Sequence, residues 1–255
     1  MVEQPNVTII VPTYNSEKTI DLCISSLVKL DYPKQCLDIL IVDDGSIDGT
    51  TKKLKQYSEI KVIESPHAGP AATRNNGIQN ATGDIIVFTD SDCEVKPDWI
   101  KKIIMDLDDA DGVGGSIIAA NLDSYTEKFE QNRRERLYGT IKRRINHLPS
   151  CNLAFRRQAL ESIGGFDEDF GRASAEDYDL CQRFTDSGSI LVYDPLIPVI
   201  HHHSSTISGV LRRAYIHGME MVKYRKKRGG NIIYEIIRSI GKIIYHRFIL
   251  LFDIQ

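Results

Sequence analysis

The sequence predicts an α/β fold in which a mostly parallel central sheet is flanked by helices, with a C-terminal helical extension. Three observations carry this reading. Short, near-continuously apolar, β-rich runs alternate with helix-periodic segments over the first 90 or so residues. Three of those runs end in polar clusters: Pro12-Thr13-Tyr14-Asn15, Asp43-Asp44-Gly45-Ser46 and Asp90-Ser91-Asp92. The segment beyond His201 is basic and helix-periodic. Ligands of parallel sheets bind outside the carboxyl ends of the strands, so the three polar clusters fall on one rim.

The elements follow in order. Residues 7–11 form a first strand, expected to stop at Pro12 because proline cannot donate to a central ladder. Ser16 is placed to cap a helix over 16–30, with Ile20, Cys23, Ile24, Leu27 and Val28 at helical spacing. Strands at 37–42, 60–64 and 85–89 are separated by helices at 50–57 and 69–79. A helix over 97–108 and a strand over 112–120 come next. A long polar helix then covers 124–145, a short strand 152–155 and a short helix 158–163. Gly164-Gly165 stops that helix and opens a loop over 166–175. A helix follows over 176–186. Residues 190–192 and 198–200 flank a turn, and His201-His202-His203 comes directly after. A basic helix covers 207–228, Gly229-Gly230 breaks it, and 231–252 forms a last element.

With 255 residues, 42% hydrophobic and 26% charged, the chain can bury the core of one large domain. No secretory signal is read at its start. Five cysteines, odd in number and without CxxC spacing, argue against disulfide staples and zinc knuckles, which makes a reducing cytoplasm the expected setting. From His201 onward ten Lys/Arg meet three Asp/Glu, a local +7, which leaves −10 on the first 200 residues out of a formal total of −3. A basic tail on an acidic body fits an anionic surface, and the acidic body argues against nucleic acid.

Asp90 and Asp92 stand two apart in an extended segment, so both project to one side. Their hard oxygens suit Mg²⁺ or Mn²⁺ better than zinc, although solvated strand-end carboxylates are also common. Asp43-Asp44 before Gly45-Ser46 reads as a turn, or as carboxylates that accept from a nucleobase imide or a ribose hydroxyl. Tyr14, just past a proline, can lay its ring against a base. Arg74 reads as a surface helix residue, or as a diphosphate partner if its helix begins near Gly69. Glu176-Asp177 either compensates a helix dipole or supplies a general base for an acceptor hydroxyl. One histidine of the 201–203 triplet can complete the site of Asp92. The chain has no GxGxxG after its first strand, no GxxxxGK[ST] loop and no GxSxG elbow, which weighs against a Rossmann dehydrogenase, a P-loop NTPase and an α/β-hydrolase.

Taken in order, these motifs resemble the family-2 inverting glycosyltransferases of GT-A fold. The resembling pieces are Val11-Pro12-Thr13-Tyr14-Asn15, Ile41-Val42-Asp43-Asp44-Gly45-Ser46, Ala72-Thr73-Arg74-Asn75 and Asp90-Ser91-Asp92. Cys151 to Arg157, Gly164-Gly165-Phe166-Asp167, Glu176 to Leu180 and His201 continue the series. The resemblance covers about residues 5–220 and departs in small ways, with Ser91 and Thr73 where the family often has Ala. It implies a donor site of Pro12, Thr13, Tyr14, Asp43, Asp44, Arg74, Asp90 and Ser91. It implies a divalent metal, Mn²⁺ or Mg²⁺, on Asp92 and His201, with His203 as the alternative to His201. Asp177 would be the catalytic base, with Glu176, Gly165 and Phe166 toward the acceptor. The implied substrates are a nucleotide-sugar donor and a saccharide or lipid-linked acceptor. The expected division is a transferase domain over 1–205, nucleotide-binding to about 95 and acceptor-binding after it, followed by a basic, amphipathic tail over 206–255.

The tail carries Glu235, Arg238, Lys242 and His246/Arg247 on one helical stripe, with Arg225-Lys226-Lys227-Arg228 before it. It reads as an interfacial helix on anionic lipid at the inner face of the cell membrane, or as a helix packed on the body or on a second subunit of a homodimer. The rival functions are a nucleotidyltransferase on a similar scaffold and a non-catalytic sugar-nucleotide binder.

Overall fold

The computed structural model describes residues 4–172, 174–202 and 206–230. The first half alternates as expected: β1 (Val7–Thr13), α1 (Ile20–Leu27), β2 (Leu37–Asp43), α2 (Thr50–Leu54), β3 (Lys61–Glu64), α3 (Pro70–Asn80) and β4 (Ile85–Thr89). β1 lies between β2 and β4 and runs parallel to both, and β3 adds to β2, also parallel. The apolar runs are continuous because both faces are covered. Ile9 and Val11 join Ile24, Leu27, Trp99 and Ile103 on one side. Ile10 joins Leu40, Val42, Phe88, Phe155 and Phe184 on the other. All of these are 2% exposed or less.

The second half folds against β4. It comprises β5 (Cys93–Val95), α4 (Trp99–Leu107), β6 (Gly112–Ala119), α5 (Tyr125–Tyr138), β7 (Arg143–Arg144), β8 (Asn152–Arg156), α6 (Arg157–Ser162), α7 (Glu176–Asp186), β9 (Leu191–His201) and α8 (Ile207–Lys227). The sheet order is β3-β2-β1-β4-β8-β6-β9-β5, with β7 on β9. β8 is antiparallel to β4 and to β6, so the sheet is mixed from this point. Buried Asn152 ties the layers together. Its amide donates to Ser116 O and Ile197 O and accepts from the Trp99 indole.

Several expected boundaries are corrected. β1 continues through Pro12, because β4 pairs with β1 only as far as Ile10 and the missing N–H of proline falls beyond that ladder. α1 starts at Ile20 and not after Ser16, whose hydroxyl is engaged instead with Ser91 at 2.7 Å. α5 ends at Tyr138 because Gly139 adopts φ +79°, which stops the helix seven residues before the expected end. The segments 190–192 and 198–200 do not flank a turn. They belong to one strand, β9, whose pairing with β6 shifts register between Gly115 and Ile117. Residues 195–198 occupy that irregularity, where the missing ladder donors of Pro195 and Pro198 are tolerated. β5 was not expected at all. Its three residues pair antiparallel with β9, Cys93 opposite His201. The last element expected at 231–252 lies outside the described residues, as does His203.

Candidate active site

The carboxyl ends of β1, β2 and β4 open into a cleft of about 660 Å³. Pro12, Thr13, Tyr14, Asp44, Arg74, Asp90, Ser91 and Asp92 all line it, so most of the expected donor set is brought together. Asp43 does not line it. Its carboxylate turns inward and accepts from Ser46 N and Oγ and from Thr51 Oγ1, at 2.6–3.1 Å. Asp43 therefore builds the loop, and Asp44 is the residue of the pair that faces the cleft.

Asp44 also shapes the far wall. Its two oxygens accept from Ala68 N at 2.7 Å and Gly69 N at 3.0 Å, which fixes the entry to α3. Gly69 is required there. Its φ is +92°, and a Cβ would lie 2.8 Å from Gly171 O. His67 completes this corner, 2.8 Å from Asp44 and stacked on Tyr14 with ring centroids 4.3 Å apart. Sequence reading missed His67, since a single exposed histidine before a Gly-Pro carries no pattern.

Arg74 stands in the second turn of α3 and is 3% exposed. It is not the surface residue that its polarity first suggests. Nη2 donates to Asp90 Oδ1 at 2.9 Å and Nη1 to Glu176 Oε1 at 3.0 Å, while the guanidinium lies over the Phe166 ring. Arg74 thus couples the end of β4 to the start of α7, with Glu176 lying 102 positions beyond Arg74 itself. Glu176 is 2% exposed and also accepts from Ser174 N. Burial pushes its carboxyl up to about 7, Asp177 adds to the rise, and Arg74 pulls it back.

Gly165 and Phe166, expected toward the acceptor, lie beside Arg74 and α3. Phe166 is buried edge-on to Phe88 and bonded through its backbone to Asn75, and Gly165 O accepts from Arg183. Together they form the wall under Arg74. Asp177 does not line the cleft. It follows Glu176 on α7, where its Oδ1 accepts from Tyr178 N at 2.8 Å and lies 3.7 Å from His147 Nε2.

The β5–β9 pairing brings Asp92 and His201 together, with His201 Nε2 3.0 Å from Asp92 Oδ1. The next backbone bond, His202 N to Asp92 O at 2.8 Å, holds this junction closed. Burial pushes the His201 imidazole down, but pairing with Asp92 outweighs it and raises it to about 9. Donor atoms of Asp92, Cys93 and His201 lie within 4.8 Å of one another. The soft thiol of Cys93 is the poorest match for a hard cation, so Asp92 and His201 are the candidate ligands of the three. That N/O pair suits a hard divalent cation, which it would hold only in part, leaving positions for further oxygen ligands. His202, which was not singled out, lines the cleft and pairs with Glu94.

A parallel half-sheet with an acidic rim, joined to a mixed half that returns a histidine to it, defines a GT-A glycosyltransferase scaffold. The profile of Glycosyl transferase family 2 matches residues 8–164, and the chain belongs to that family. Among curated relatives, Glycosyltransferase AglE of Haloferax volcanii is 30% identical over 202 residues, 74% of this chain and 64% of that protein. Pre-mycofactocin glycosyltransferase of Mycobacterium tuberculosis is 27% identical over 261 residues, 92% of this chain and 53% of that protein. The chain thus spans between about half and two thirds of these relatives. Among solved structures, mannosyltransferase PcManGT from Pyrobaculum calidifontis, in complex with GDP-Man and Mn²⁺, superposes with a TM-score of 0.69. It shows 23% identity and covers 89% of this chain and 65% of that one. TarS 1-349 of S. aureus with UDP-GlcNAc gives 0.60 at 23% identity, covering 74% of this chain and 58% of that one.

Proposed function

We propose that the protein is an inverting, metal-dependent glycosyltransferase that moves a sugar from a UDP- or GDP-sugar to a hydroxyl of a saccharide or lipid-linked acceptor. The observation that carries this reading is the Asp90–Arg74–Glu176 bridge beside the Asp92–His201 pair. It joins a donor cleft to a carboxylate-bearing helix start.

In this reading Tyr14 and Asp44 face the base, and Asp90 faces the ribose. Asp92 and His201 would hold the divalent cation, which when bound supplies positive charge to the diphosphate leaving group. Arg74 contributes fixed charge to the same group and needs no reorganisation, since two carboxylates already hold it in place. Asp177 accepts the proton of the acceptor hydroxyl as that oxygen attacks the anomeric carbon opposite the nucleotide, so one displacement inverts the configuration.

The division into a transferase domain over 1–205 and a tail over 206–255 is part of the proposal, as is a place on the inner face of the membrane. In support, α8 exposes Leu211, Tyr215, Met219 and Val222 along one stripe, beside Arg212, Lys223 and Lys226. No helix among the described residues is long and apolar enough to cross a membrane.

The test is a donor panel of UDP-Glc, UDP-GlcNAc, UDP-Gal and GDP-Man, read by thermal shift with and without Mn²⁺ and then by release of nucleoside diphosphate. One donor should stabilise the protein, more so with Mn²⁺, and Asp92→Ala should remove the metal-dependent part. Undiminished Mn²⁺-dependent affinity in that variant would count against the metal assignment.

A further inference from the structure

We infer that His147 is a positioning residue for Asp177, held by Tyr138 in the tautomer that directs an N–H at the carboxylate. The inference rests on the reading of Asp177 as the base. His147 lies between β7 and β8, in a stretch that no motif marks. Its imidazole stacks on Tyr178, with ring centroids 3.4 Å apart and planes 12° from parallel. Tyr178 directly follows Asp177, so the stack fixes the imidazole relative to that carboxylate. Nε2 lies 3.7 Å from Asp177 Oδ1 and is buried without a hydrogen-bond partner. Nδ1 lies 3.2 Å from the Tyr138 hydroxyl.

The tautomer follows from these neighbours. Burial, with Tyr178 and Asp177 adding to it, pushes the Tyr138 hydroxyl far up, so it keeps its proton. With the imidazole proton on Nδ1, the bare lone pair of Nε2 would face a carboxylate oxygen and the two would repel. With the proton on Nε2, Tyr138 donates to Nδ1 and the Nε2–H faces Oδ1. The second arrangement satisfies both ends of the ring. The 3.7 Å gap is longer than a hydrogen bond, and catalytic contacts of this kind often tighten only when substrate is bound.

The two donors, Tyr178 N–H and His147 Nε2–H, address the same oxygen. That leaves Oδ2 for the acceptor. As the acceptor oxygen bonds to the anomeric carbon and the bond from that carbon to the diphosphate oxygen breaks, the acceptor proton passes to Oδ2. His147 keeps its own proton throughout. A carboxylate pinned at one oxygen presents the other in a fixed direction, which affects the chemical step and not donor binding.

Three variants test this. His147→Phe keeps a ring on Tyr178 but has no N–H, His147→Gln restores an N–H, and Tyr138→Phe removes only the hydroxyl that sets the tautomer. Turnover is read as nucleoside diphosphate release, with water as acceptor, from the panel donor that the wild type uses. Loss of one orienting contact predicts kcat down about 10–100-fold in His147→Phe, with donor KM within about twofold. His147→Gln should recover much of that loss, and Tyr138→Phe should lose about threefold. If His147→Phe does not fold, Tyr138→Phe decides, because it leaves the stack in place. Nitrogen-15 NMR of the imidazole, which needs no donor, should show the Nε2–H tautomer. Wild-type kcat in His147→Phe, no gain in His147→Gln, or an Nδ1–H tautomer would overturn the inference. Asp177→Asn separates the two claims. If that variant turns over normally, the base assignment itself fails. If it is dead while His147→Phe is normal, only the role of His147 fails.

Discussion

The two halves of the sheet present their carboxylates by different means. In the parallel half, Asp43, Asp44, Asp90 and Asp92 stand at or just beyond strand ends, so the sheet sets their backbone positions, and contacts such as Arg74 with Asp90 and His201 with Asp92 aim the side chains. In the mixed half, Glu176 and Asp177 begin a helix, and their placement depends on contacts made from elsewhere: Arg74 from α3, and His147 from the segment between β7 and β8. The first arrangement takes its backbone positions from the sheet, which in the proposed reading suits a donor site. The second is assembled through tertiary contacts, which suits a group that must be aimed at a substrate brought from outside.

The largest effect is expected from Asp177→Asn. Loss of a general base predicts kcat lower by about 10²–10⁴-fold with donor affinity nearly unchanged by calorimetry. Near-normal turnover would dissolve the division of labour. Arg74→Ala should damage both halves at once. It leaves Asp90 and buried Glu176 without their shared cation, so a stability loss of roughly 3–5 kcal/mol in urea melts and a kcat/KM loss on the order of 10² are expected. A variant that loses donor binding while keeping wild-type stability would show that the bridge does not hold the halves together.

A smaller effect is expected from pH. The Glu176 carboxyl is raised in the fold from 4.5 to about 7, so the folded state binds its proton more tightly than the unfolded chain does. The resulting stability is fully present below about pH 4.5 and is lost as pH rises through about 7. Glu176→Gln removes that dependence. The stability of the wild type relative to this variant should therefore fall by roughly 1–3 kcal/mol between pH 4.5 and 8. Parallel melting curves across that range would show that Glu176 is ionised in the fold throughout, with Arg74 dominating over burial.

What could be read from the sequence divides along the same line. The strand-end acids were legible because an apolar run that stops at a carboxylate is a local pattern, and β1 to β4 fell where periodicity put them. The pairing of Asp92 with His201 was named by the family resemblance, while the residues by themselves left it open among the three histidines 201–203. The three-residue strand that makes it, β5, is too short to carry a periodic signal. Arg74 looked like a surface residue because its two acidic partners lie 16 and 102 positions away. The place of Phe166 under Arg74 was not legible, because it follows from a contact across 92 positions of sequence. His147 carried no local signal, since its meaning comes from a stack on Tyr178 and a hydroxyl from α5.

In the proposed mechanism the leaving diphosphate and the base stand on opposite sides of the anomeric carbon, the diphosphate beside the strand ends and the base on α7. The most direct test is the configuration of the transferred sugar, read by proton NMR of the first product formed from an α-linked donor. A β-linked product, formed by wild type and lost in Asp177→Asn, is the predicted result. An α-linked product would contradict the single displacement and with it the role assigned to Asp177.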